Sequence, residues 1–114
     1  MEKQSKFILK ILFMFIAIAF AWYSCTFLMV GLHEAVHQEI FKSDGIESRI
    51  EFRGFLGLEA VTIGSSGCKT EECKLAHNIN EAISYNIYAF MFAFWLGLFI
   101  LLFFLELKRY EDVK

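Results

Sequence analysis

The chain has 114 residues, 57% of them hydrophobic and 18% aromatic, and a net charge of −2. A mean hydropathy of +0.49 is too apolar for an ordinary soluble domain of this length, and the near balance of charge leaves no basic excess to attract nucleic acid. Length and composition together point to a single membrane domain over 1–114.

The first element expected is a membrane-spanning helix over about 8–32. Residues 11–32 contain no charged side chain and reach the roughly 20 residues a helix needs to cross about 30 Å of hydrocarbon. Isolated spans must bond their own backbone groups in lipid, which makes helix the economical state. Lys3, Lys6 and Lys10 ahead of the run would also suit a signal peptide. The run is longer than the about 7–15 apolar residues of such a peptide, and its end is filled by Leu28, Met29 and Val30 rather than small cleavage-site residues. A retained helix is therefore expected, beginning near Ser5. No Pro interrupts it, and Ser43-Asp44-Gly45 is the first stop signal, with Gly able to cap in the left-handed conformation. His33-Glu34-Ala35-Val36-His37 then rides on the extramembrane end of that helix.

A loop is expected over 43–73. Arg49-Ile50-Glu51-Phe52-Arg53 alternates polar and apolar residues as a half-buried strand does. A Gly-flanked turn over 54–57 and a second β-prone run over 58–63 complete a predicted hairpin. Cys68 and Cys73 follow, spaced for a small disulfide if the loop faces an oxidising compartment, or left as thiols or ligands of a metal. A second helix is predicted to start between Thr70 and Lys74, with Thr70 and Glu72 in its first turn. It runs into another charge-free stretch, 82–105, so a second span is expected over about 82–106. Lys10, Lys108 and Arg109 sit beside the membrane ends, which places both termini in the cytoplasm and the loop on the outer face. The fold class expected is mainly α: a two-transmembrane-helix hairpin with a small extramembrane β-hairpin and a zinc site at one membrane face.

His33 and His37 are four apart, so one helix face presents both imidazoles to a single zinc ion. Glu34 stands where it addresses an attacking water rather than the metal. This is the H-E-x-x-H arrangement, two His as ligands and the Glu as general base. Antiparallel spans bring the end of the first helix and the start of the second to one bilayer depth, so that Glu81, which could also be a plain interface residue, can lie level with the two His. His77, one turn before Glu81 on the same face, could be a third ligand or donate to a developing oxyanion. Tyr85 and Tyr88, on roughly the same face, can donate likewise or serve as interfacial belt residues.

Asn80-Glu81-Ala82-Ile83-Ser84, read together with HEAVH, resembles the N-E-x-x-S segment of thermolysin-type zinc peptidases, the gluzincins. The resemblance covers about ten residues. It implies His33, His37 and Glu81 as ligands of Zn2+ and Glu34 as catalytic base. It does not extend to Tyr85, where thermolysin-type sequences have Asp, and this leaves Tyr85, Asn80 or another acidic residue to orient a ligand His. Site-2 proteases are similar in architecture, with HExxH on a membrane helix, but their later Asp motif has no counterpart: the chain's Asp residues are Asp44 and Asp112. A di-iron bundle would need a second E-x-x-H, which is absent.

The expected function is a membrane-bound zinc metalloprotease acting on a peptide or protein substrate near the bilayer surface. The hairpin would offer the substrate an edge strand or simply cover the site. The alternative is a non-enzymatic two-span subunit or adaptor whose loop binds a partner. A homo-oligomer or partner subunit could complete the small pocket; the aromatic-rich stretch 90–104 offers packing surface but is more often simply lipid-facing, so no particular oligomer is expected.

Overall fold

The structure is a computed structural model that describes residues 1–113. Its order is α1 (Glu2–Ser43), β1 (Ser48–Arg53), a 3₁₀ turn (Phe55–Gly57), β2 (Glu59–Gly64) and α2 (Glu71–Asp112). Two long apolar helices are thus joined by an antiparallel β-hairpin, as expected. Helix α1 begins at Glu2 rather than near Ser5, and Glu2 and Lys6 form an i,i+4 ion pair at 2.5 Å in its first turns.

The helix ends follow local chemistry. Gly45 adopts φ 73°, the Gly45 N–H bonds the Lys42 carbonyl at 3.1 Å and the Ile46 N–H bonds that of Phe41 at 2.9 Å. This is the Schellman stop, and Ile46 is buried beside it. At the start of α2 the Thr70 hydroxyl accepts the Cys73 N–H at 3.2 Å, with Glu71 and Glu72 in the favourable first turn. The Asp44 carboxylate bridges both ends: it accepts the Lys69 N–H at 2.6 Å and the Thr70 hydroxyl at 3.0 Å. The Lys69 backbone bond holds its pKa below the ordinary value; slight desolvation opposes this and the Thr70 hydroxyl adds to it.

The chain divides into two compact units, Met1–Ser24 with Phe90–Lys114, and Cys25–Ala89. In the first, the helices run antiparallel: Phe7 packs on Tyr110, Phe15 on Phe99, and Lys10 lies 3.7 Å from Glu106. Phe13, Phe20 and Phe90 still point outward. Both helices are long and apolar enough to cross a membrane, and none of their most apolar stretch is buried. Being apolar on all sides, they have more hydrophobic surface than this chain can cover by itself.

In the second unit the hairpin lies along α1. Its register pairs Ser48 with Gly64 through to Arg53 with Glu59. The alternation read in the sequence sorts the side chains by face. Arg49 and Arg53 both bind Glu51, at 3.0 and 2.6 Å, while Phe52 stacks on Phe27 with ring centroids 5.4 Å apart. A Cβ on Gly57 would meet the Phe27 ring at 3.2 Å, and one on Gly64 would meet Phe41 at 3.0 Å. Between these points Thr62 meets Glu34. The 14 residues from Phe27 to Phe41 rise about 21 Å in a helix. Strand β2, Glu59–Gly64, extends about 17 Å over its five steps and so runs beside most of that stretch of α1.

Candidate metal centre

The end of α1 and the start of α2 place the predicted residues together. His33 Nε2 and His37 Nε2 are 3.2 Å apart. Glu81 Oε1 lies 3.2 Å from the first and 2.8 Å from the second. Ligands about 2.0–2.1 Å from a tetrahedral zinc are separated by roughly 3.3–3.4 Å, so this triangle is close to the size such an ion requires. The three residues form a group able to hold a metal ion.

The outward-facing ring atoms support the same arrangement. His33 Nδ1 hydrogen-bonds Ser84 Oγ, and His37 Nδ1 contacts His77 Nδ1 at 2.5 Å. Each Nδ1 is thus engaged outward, and in the tautomer that carries its hydrogen there both Nε2 atoms present lone pairs toward the Glu81 carboxylate. In that tautomer the three acceptors, within 3.2 Å of one another, would be held together by a cation; in the other, an Nε2–H donates to Glu81. The donor set, two imidazoles and one carboxylate, suits zinc and leaves a fourth position for water or substrate.

Glu34 is 6% exposed, and its Oε1 is 3.6 Å from His33 Nε2, beside the triangle. Its other oxygen is held by the Thr62 hydroxyl at 2.6 Å, and that hydroxyl also lies 2.9 Å from the Glu34 carbonyl. The strand therefore fixes which carboxylate oxygen is available. Thr62 was not singled out from the sequence; its signal there is a lone hydroxyl in the apolar run 60–63.

His77 competes with Glu81 in the sequence, but here it lies behind His37, stacked on it at 4.7 Å and packed against Phe41 at 4.5 Å. It contacts His37 from outside rather than joining the triangle. Its Nε2 is buried without a hydrogen-bond partner. Tyr85 is 70% exposed and, among the described residues, makes no hydrogen bond or ring contact with the triangle. The residue that meets His33 lies one position earlier: Ser84, which is buried. Asn80 donates to the His33 carbonyl at 3.2 Å, bracing that turn of α1. Tyr88 approaches His33 edge-on, with centroids 6.4 Å apart.

Cys68, Cys73 and His77 form a second grouping of ligand-type residues. Its two sulfurs are bonded to each other as a disulfide, so they are not open to a metal, and the bridge braces the segment that presents His77. Compared with family models, curated proteins and solved structures, this chain matches none of them.

Proposed function

We propose that the chain is a membrane-embedded zinc metallopeptidase of HExxH type, with His33, His37 and Glu81 as ligands and Glu34 as general base. The observation that carries this reading is the convergence of two Nε2 atoms and one carboxylate oxygen, with a second, buried carboxylate alongside. The N-E-x-x-S likeness to gluzincins supports the same ligand set, with Glu81 and Ser84 both meeting the imidazoles.

A zinc ion held there would supply a Lewis acid that polarises the scissile carbonyl and brings the pKa of a coordinated water toward about 7. Glu34 Oε1 receives the proton of the attacking water, and Thr62 keeps the other oxygen occupied so that the carboxylate does not rotate away. Ser84 and His77 hold the two imidazoles in the tautomer that presents Nε2. Glu34 then returns its proton to the leaving amine.

In this reading both helices span the bilayer, both termini are cytoplasmic, and hairpin and metal centre lie at the outer face. The Cys68–Cys73 disulfide fits an oxidising outer compartment. The test is zinc content of the purified protein. Wild type is expected to hold one zinc, lost in both His33→Ala and Glu81→Ala, whereas Glu34→Gln keeps it and loses peptide hydrolysis. Zinc-free wild type would overturn the proposal in favour of a non-enzymatic adaptor.

A further inference from the structure

The hairpin turns back along α1 toward the charge-free part of the helix, not away from it. Its open end is tied near the extramembrane end of α1: Gln38 donates to the Ser48 carbonyl at 3.2 Å, and Gly64 passes Phe41. Its tip reaches Phe27, through the Phe52 stack and the close approach of Gly57. Phe27 lies within the uncharged run 11–32, five residues before its end, or about 7.5 Å along the helix axis. At that level the tip presents Phe55, 80% exposed, together with the exposed Phe52 and Leu56. Gly54, Leu56 and Gly57 all take positive φ to make this turn. A left-handed Leu is uncommon, and here it keeps a large apolar side chain at the point of the hairpin.

We infer that the hairpin tip, Phe52 with Phe55 and Leu56, is inserted into the acyl region of the bilayer beside α1, making the hairpin a re-entrant element. The inference rests on the reading of α1 as a membrane span. The occupant is lipid because the exposed tip is continuous with the outward-facing apolar surface of α1 at Leu28 and Leu32. The depth matches the about 5–10 Å to which interfacial elements bury their apolar face. The charges nearest the tip suit an interface. Arg53 is paired with Glu51 and sits opposite Glu59 across the ladder, and long side chains can carry their heads outward to the headgroups. The consequence for the site is directional: on the hairpin side, the wall beside Glu34 is an element anchored in lipid. Peptide bonds presented at the membrane boundary, rather than in bulk water, are then the accessible substrate class.

Three single-tryptophan proteins in phosphatidylcholine vesicles test this. Trp22 alone (Trp95→Phe) reports the span. In the background lacking both native tryptophans, Phe55→Trp reports the tip and Ser66→Trp the loop. Phe55→Trp is expected to show blue-shifted emission, strong quenching by brominated phosphatidylcholine and protection from aqueous iodide, as Trp22 does and Ser66→Trp does not. If Phe55→Trp is quenched by iodide while Trp22 remains protected, the tip is outside the lipid and the inference fails with the span intact. If Trp22 is itself exposed to iodide, the span reading fails and the inference falls with it. Neither readout depends on zinc or on turnover.

Discussion

Ser84→Ala removes the hydroxyl that holds His33 Nδ1, and its effect follows from the surroundings of that bond. Ser84 is 8% exposed and the His33 side chain 10% exposed, so water has little access to replace the lost partner. Removing a group that orients a metal-bound imidazole typically weakens metal affinity by about 10–100-fold, equal to about 1.4–2.7 kcal/mol. The burial puts Ser84→Ala toward the upper part of that range. The assay is zinc affinity in detergent, measured by competition with a chromophoric chelator. Ser84→Thr, which keeps a hydroxyl on the same carbon, is expected to recover most of the loss. Secondary structure should be unchanged in both, because α2 makes Ser84 one of 42 helical residues. An unchanged affinity in Ser84→Ala would refute the argument that the Nδ1 contact sets the ligand tautomer. An equal loss in Ser84→Thr would point to packing rather than hydrogen bonding.

Thr62→Val, nearly the same volume, frees Glu34 Oε2 inside a buried site; hydrogen bonds to charged groups contribute about 1.5–3 kcal/mol. Peptide hydrolysis is expected to fall by about 10–100-fold while zinc content stays at the wild-type level. Equal loss of zinc would show that Thr62 supports the metal rather than the base. Changing both Cys68 and Cys73 to Ser removes a small covalent loop worth roughly 2 kcal/mol, so thermal unfolding in detergent should shift downward; no shift would mean that the bridge does not constrain the start of α2. Asp44 provides a pH dependence. Its folded pKa is depressed, chiefly by the Lys69 N–H, so its contribution is present above the unfolded value of about 3.9 and is lost as pH falls through the folded one. Hydrogen exchange, corrected for its intrinsic pH dependence, should lose protection at the Lys69 amide over that acid window in wild type. Asp44→Asn should show no such step, and a wild-type amide without it would count against the clamp.

The elements were largely legible because each has a local signal. Charge-free runs, the Ser43-Asp44-Gly45 stop, the Thr70 cap and the polar–apolar alternation at 49–53 all act through neighbouring residues, and each appears where it was expected. The grouping of His33, His37 and Glu81 was legible for a different reason. The i,i+4 spacing of His33 and His37 is intrinsic to a helix, and two antiparallel helices bring Glu81 to the same level. Cys68 and Cys73 left several states open in the sequence, and the structure joins them.

What sequence alone determined is therefore the periodic part of this protein: two long apolar helices, a hairpin between them, and three ligand-type side chains on facing turns. Tertiary structure decided what surrounds those side chains. It put His77 behind His37, gave the place beside His33 to Ser84 instead of Tyr85, and brought Thr62 across from the hairpin to Glu34. Those contacts depend on the rotation of α2 about its axis and on the direction in which the hairpin folds back. Successive helix positions differ by about 100°, so neighbouring residues in one motif can face opposite surroundings. The hairpin's path depends on close approaches at Gly57 and Gly64, and neither has a periodic signature.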